Sequence, residues 1–165
     1  MPHDLLRLES LLKALDEAYD KKAWHGPNLK GALRGVSCET AAWRPAQDRH
    51  NIWEISLHAA YWKYAVLRSL TGGKRGSFEV VGSNWFRRPV ERSVHTWKAD
   101  LMLLEKYQRE LKQAVAGLSD RELDRNPAGS KHSRLRLIQG IALHDVYHAG
   151  QIQLIKRLLP TSLRK

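Results

Sequence analysis

The sequence predicts an all-α fold, a four-helix bundle with long crossover loops, and three observations predict it. Apolar residues recur at three- and four-residue steps in four long segments, and each such face needs partner helices to bury it. Strand-type alternation is confined to Phe78-Glu79-Val80-Val81, too little for a sheet. A length of 165 residues suits one domain with a real core, so the bundle is expected to span residues 1–165. There is no internal repeat and no low-complexity tract.

Each element has its own signal. Leu5, Leu8, Leu12, Leu15 and Tyr19 form one stripe and predict a first helix from about Pro2 to Lys22. Between Trp24 and Gln47, Pro27 can start a short helix ending near Gly35, and Trp43-Arg44-Pro45 reads as loop. A second long helix is predicted from Asn51 to Ser69, with Ile52, Ile55, Ala59, Trp62 and Val66 on one side and Gly72-Gly73 as the stop. Beyond Pro89, the series Val90, Val94, Trp97, Leu101, Leu104, Gln108, Leu111, Val115, Leu118 is a sustained heptad with one polar interruption. It predicts a long third helix. Ser119 with Glu122 suggests a one-turn capped piece. Ser133 is a natural N-cap for the fourth long helix, which carries Leu137, Ile141, His144, His148, Ile155 and Leu159 inward and stops at Pro160.

Composition narrows the functional classes. With 42% hydrophobic and 27% charged residues, the chain is too apolar to be mainly disordered. Its longest uncharged stretch, Val146 to Ile155, is far short of the roughly 20 residues of a membrane span. Asp4, Arg7 and Glu9 interrupt the segment where a signal peptide needs an apolar core, so no export is expected. Cys38 is the sole cysteine, which precludes an intramolecular disulfide and fits a reducing, cytoplasmic setting.

Of the eight histidines, three fall on inward stripes. His144 and His148 are i and i+4 on one helix, so their imidazoles lie one turn apart on one face. His58 follows Ile55 and precedes Trp62 and Ala65 on the three-four step of the second helix. Facing helices in a bundle lie about 8 to 10 Å apart, a gap that inward imidazoles and one ion can bridge. Uncompensated imidazoles in a core would cost a few kcal/mol, so these need a partner, either a metal or buried carboxylates. Three neutral imidazoles suit Zn, Ni, Cu or Fe(II) and leave a position open to water, thiolate or carbonyl oxygen. Water at such a position ionises far more readily than in bulk and is expected to supply the nucleophile.

The segment from Ile52 through Glu54, His58 and Tyr61 to Trp62, paired with His144-Asp145-Val146-Tyr147-His148-Ala149-Gly150-Gln151-Ile152, resembles the DinB-like (YfiT-type) superfamily of proposed metalloenzymes. Trp24-His25-Gly26-Pro27 and Ser83-Asn84-Trp85 fit the same pattern, so the likeness covers nearly the whole chain in order. It implies a four-helix bundle, frequently a homodimer, with one divalent metal at His58, His144 and His148. Zinc or nickel is the expected ion, ahead of iron or manganese. Some relatives are thiol-dependent transferases or isomerases and many have no assigned reaction; with the open metal position, the expected activity is a metal-dependent hydrolase or a thiol-dependent transferase acting on a small molecule, with a low-molecular-weight thiol in the second case.

Other residues are candidates for the surroundings of that site. Glu54, one turn before His58, can orient an imidazole or lie exposed. Asp145 is about 100° around the helix from His144 and is expected to meet a neighbouring helix or loop. His25 and His50 lie in or beside the loop before the second helix, where they can overhang the site as proton carriers or sit at the surface. Trp62, one turn beyond His58, can wall a pocket. Cys38 beside Glu39 reads as an ordinary free thiol in a loop.

The formal charge of +11 raises two alternatives to an enzyme, a basic nucleic-acid-associated protein and a non-catalytic metal-binding or structural bundle. The bases are dispersed: Arg68 to Arg92 holds six against two acids, Arg121 to Arg136 five against two, and Lys156, Arg157, Arg164 and Lys165 end the chain. No nucleic-acid module is present in the sequence, which makes specific nucleic-acid binding the weaker alternative. Gly72-Gly73-Lys74-Arg75-Gly76 lacks the spacing of a phosphate loop and follows a helix rather than a strand.

Overall fold

Capping side chains decide where most of the helices begin. Asn51 Oδ1 accepts the Glu54 backbone N–H at 2.8 Å, Ser93 Oγ that of Thr96 at 3.2 Å, and Ser133 Oγ that of Arg136 at 3.3 Å. Each satisfies a donor that the first helical turn leaves unpaired. The computed structural model describes residues 3–163. Among them the chain forms α1 (His3–Tyr19), α2 (Leu29–Leu33), α3 (Cys38–Ala42), α4 (Ile52–Thr71), α5 (Val94–Ala116), α6 (Asp120–Leu123), α7 (Arg134–Leu158) and a 3-10 turn at Thr161–Leu163, with no strand. Pro2, Arg164 and Lys165 lie outside the described residues.

Both α1 and α4 pack along α5 and along α7. The four long helices therefore form a ring in the order α1, α5, α4, α7, an all-α bundle. The steps from α1 to α4 and from α5 to α7 cross its diagonal, which is why both need long connections. Those connections fold as the shorter helices: α2 packs on α7 and α3 on α4, while Ser119 and Glu122 form the capping box of α6. α4 is buried on nearly every side from Ile52 to Ala60, the pattern of a helix enclosed by others.

Four boundaries differ from expectation. α1 ends at Tyr19 rather than Lys22 and turns Leu11, Leu15, Ala18 and Tyr19 inward, leaving Leu8 and Leu12 half-buried. Cys38 opens α3 instead of lying in a loop, because Ser37 Oγ accepts the Thr40 N–H at 3.2 Å. α4 runs to Thr71, where Gly72 takes a left-handed conformation at φ 72°. α5 begins at Val94, and Val90 is 86% exposed. The residues before it fold over α4 instead: Phe78 and Phe86 are buried against Tyr61, with ring centroids at 5.4 and 5.5 Å. Arg88 then ties the segment down, donating from Nε to Asp100 Oδ2 at 2.7 Å while its carbonyl accepts from Asn51 Nδ2 at 2.8 Å.

At the centre of the ring the four helices share one polar contact. Lys63 of α4 and Asp145 of α7 form an ion pair with no solvent exposure on either side chain. Lys63 Nζ also donates to Gln108 Oε1 of α5 at 2.7 Å and sits 5.1 Å from the Tyr19 ring of α1. Gln108, the polar interruption of the α5 heptad, donates in turn to the Leu15 carbonyl of α1 at 3.3 Å. Burial pushes the Lys63 ammonium down and the Asp145 carboxyl up from their ordinary values, and their mutual attraction opposes both shifts.

Removing one partner strands a buried charge, so Lys63→Met or Asp145→Leu alone is expected to cost about 3–5 kcal/mol, and the double variant clearly less than the sum. Urea unfolding followed by circular dichroism measures this. Additive losses would show that the two groups do not compensate one another.

Candidate metal centre

Helix geometry brings three imidazoles to one point. α4 presents His58, and α7 presents His144 and His148 one turn apart. His144 Nε2 lies 3.1 Å from His58 Nε2 and 3.0 Å from His148 Nε2. One ring nitrogen from each residue falls within 4.8 Å of the other two. His58 and His148 are buried and His144 half-buried.

The outer ring nitrogens fix the protonation of two of these imidazoles. His58 Nδ1 faces the Asn84 carbonyl at 2.8 Å, and a carbonyl only accepts, so the proton sits on Nδ1. His148 Nδ1 faces Gln151 Oε1 at 2.7 Å, while the Gln151 amide nitrogen donates to Tyr147 Oη at 3.0 Å. The His148 proton is therefore also on Nδ1. Both Nε2 atoms then point lone pairs at His144. His144 Nδ1 has no hydrogen-bond partner among the described residues. Its Nε2 carries at most one hydrogen, so one of the two close nitrogen contacts sets lone pair against lone pair.

A cation relieves that contact, and a proton is a poor candidate. Burial, reinforced by His148, His58 and Lys63, pushes His144 down to about 3. Burial likewise takes His148 down to about 4 against the opposing Gln151 hydrogen bond, and lowers His58 despite the Asn84 carbonyl. Neutral imidazoles with converging lone pairs are the donor set that a divalent transition ion requires, and the residues present fit such an ion.

Aromatic rings hold the set in place. The Trp85 ring stacks on His58 at 3.8 Å and, on its other face, on His50 at 3.6 Å. Trp62 lies 6.3 Å from the rings of both His58 and His144 and donates from Nε1 to Asn84 Oδ1 at 2.9 Å. Asn84 adopts a left-handed backbone at φ 63°, a conformation that asparagine tolerates. It thereby serves His58 through its carbonyl and Trp62 through its side chain.

The remaining candidates lie elsewhere. Glu54 is turned to Arg44 Nη2 at 2.6 Å and His50 Nδ1 at 3.0 Å and makes no hydrogen bond to His58. Burial raises its carboxyl, but the bonds from Arg44, His50 and the Arg88 backbone outweigh this and hold it below the usual range. Asp145 meets the neighbouring helix α4 through Lys63. His25 is exposed in the turn after α1, beside a cleft of about 720 Å³ bordered by Tyr19, Pro27 and Leu104, not at the three histidines. Cys38 is buried, its thiol 3.3 Å from Glu39 Oε1. Asn84, Trp85 and Gln151 had no assigned role in the sequence, although all three fall in the segments that carry the family resemblance.

Residues 22–152, which contain all three histidines, match the sequence model of the DinB superfamily. The chain belongs to the DinB superfamily. It matches no curated protein and no solved structure. Membership in this metal-binding superfamily agrees with a DinB-type bundle whose three-histidine group can hold a metal ion. None of the described helices is long and apolar enough to cross a membrane.

In the metal-free DinB chain the depressed histidines link stability to pH. Their unfolded values lie near 6.5 and the folded ones near 3 and 4, so between these limits the unfolded chain binds more protons. Stability present above pH 6.5 is expected to fall progressively as pH drops through that window. Thermal unfolding in a chelator across pH 7.5 to 4.5 tests this, with the decline expected to be shallower in H144N/H148N; equal slopes would contradict it.

Proposed function

We propose that this chain is a metal-dependent enzyme of the cytoplasm, with His58, His144 and His148 holding one divalent ion, zinc or nickel. The observation that carries the proposal is the pair of Nδ1 hydrogen bonds, to the Asn84 carbonyl and to Gln151 Oε1, which leave both inner nitrogens unprotonated. When bound, the ion supplies Lewis acidity at positions that three nitrogens leave free, which suits hydrolysis of a small molecule or transfer to it from a low-molecular-weight thiol. The protein residues orient and exclude. Trp85 blocks rotation of His58, Gln151 that of His148, and Trp62 walls the side of His58 and His144 that its ring faces. The carboxylates of Glu54 and Asp145 are already committed to Arg44 and Lys63, so neither is assigned as the general base.

Metal analysis of untagged protein tests the ligand set. His58→Ala, His144→Ala and His148→Ala are each expected to lose stoichiometric zinc or nickel with the helical spectrum retained, and the melting point of the wild type to rise with added metal. Full retention of metal in any of them would overturn that assignment. The metal-loaded protein is then assayed on ester, amide and electrophile-plus-thiol substrates. Turnover that disappears in H144A supports the enzyme, and silence on all three favours passive metal binding.

The unit in solution is proposed to be a homodimer formed through the outer face of α7. Leu143, Tyr147, Leu154 and Leu158 are 54–66% exposed there, and their spacing sets them in one stripe that Gly140 and Gly150 leave uncrowded. Leu143→Glu with Leu154→Glu is expected to halve the mass measured by light scattering. An unchanged mass would place the interface elsewhere.

A further inference from the structure

Several arginines of this fold pair with carboxylates. Arg7 pairs with Asp120 and Asp124, Arg44 with Glu54, and Arg88 with Asp100. Arg68 and Arg75 do not: neither guanidinium has a hydrogen-bond or ion-pair partner among the described residues. They nevertheless border the same two clefts. One, of about 420 Å³, is lined by Trp62, Val66, Ser69 and Leu137 as well as the two arginines. The other, of about 490 Å³, has Tyr61, Tyr64 and Phe78 along its wall. The last turn of α4 gives Arg68 a favourable place beside the helix dipole, but Arg75 lies outside any helix, so the dipole does not account for it.

The first cleft runs toward the three histidines. Its inner end is Trp62, whose ring also faces His58 and His144. Along α4 it continues through Val66 and Ser69, and along α7 it reaches back to Leu137, two turns before His144. At 1.5 Å per residue, Arg68 lies about 15 Å beyond His58 along α4. The cleft thus has Val66 and Leu137 along its wall, the two arginines at its far end and, at its near end, Trp62, beyond whose ring lie His58 and His144. Such a shape selects an elongated molecule with one anionic end.

We infer that Arg68 and Arg75 form an anion-binding subsite that holds a substrate carboxylate or phosphate, with the intervening apolar chain along Trp62 and Leu137 and the reacting group at His58, His144 and His148. The position of the reacting group rests on the metal-centre reading above. The anion subsite itself does not. The same arrangement gives a local use for part of the +11 charge that no nucleic-acid module claims.

Two probes test it, dodecanedioic acid monohydroxamate and its methyl ester, which share a metal-chelating end and differ in the charge of the other. On zinc- or nickel-loaded protein, calorimetry is expected to show the acid binding about tenfold more tightly than the ester. The preference is expected to vanish in R68Q/R75Q and to persist in K98Q/R109Q, which removes the same charge from exposed positions of α5. Equal affinities of acid and ester, or a preference that survives R68Q/R75Q, would overturn the subsite. If neither probe responds to metal or to His144→Ala, the metal reading fails, and the arginine side-chain N–H resonances decide the subsite alone. Shifts of Arg68 and Arg75 with the acid but not the ester uphold it, and their absence rejects it.

Discussion

The buried contact between Lys63 and Asp145 fixes how α7 is rotated against α4, and the candidate site follows from that rotation. Successive residues on a helix point about 100° apart. With Asp145 held to the centre of the ring by Lys63, His144 and His148 fall together on the flank of α7 that faces the earlier turns of α4, where His58 waits. Gln108 and Tyr19 complete the contact from α5 and α1. An apolar pair in the same place would tolerate sliding or rotation of one helix on another. A fully buried charge pair does not, because any displacement leaves both groups unpaired in a medium of low polarity.

The segment between α4 and α5 supplies what the helices cannot. Two helices can aim three imidazoles inward, yet an imidazole has two nitrogens and the proton must be assigned to one of them. Asn84 makes that assignment for His58 with a backbone carbonyl, and Trp85 fixes the ring plane by stacking. The segment stays in register because Phe78 and Phe86 are buried in an aromatic cluster and Arg88 is tied to Asp100 and Asn51. On the α7 side the corresponding task falls to Gln151, one turn beyond His148. The same enclosure that shields these rings from solvent lowers their basicity, so the inner nitrogens stay unprotonated at neutral pH.

Some of the basic residues have distinct uses. Lys63 is a core residue, Arg44 and Arg88 fasten the loop that covers α4, and Lys156 caps α2 by donating to the Ala32 and Arg34 carbonyls at 3.0 Å each. What looks in the sequence like a basic tail therefore begins with a structural cation. Arg68 and Arg75, by contrast, border open clefts without partners. Net charge alone does not distinguish a cation spent on the fold from one facing a ligand; the acceptors within its reach do.

The sequence by itself determined the helical class, the four long helices, the Ser133 cap and the Gly72 stop, and the inward placement of the three histidines, because those features depend on spacing along a single helix, where a period of 3.6 residues converts number into direction. It placed the start of α5 too early because the heptad through Val90 is a local pattern, whereas the aromatic contacts and Arg88 anchors that pull residues 78–89 onto α4 are distant in sequence. Lys63 sat in view on the stripe Ile52, Ser56, Ala59, Lys63, Val66, Leu70, but a lysine there is a core residue only if an acid from another helix meets it. Only the tertiary structure decided that Asp145 does so, that Glu54 is spent on Arg44 and His50, and that Asn84, Trp85 and Gln151 serve the imidazoles. Pairing across separate segments is set by how helices pack around a shared centre, and spacing within one segment carries no record of it.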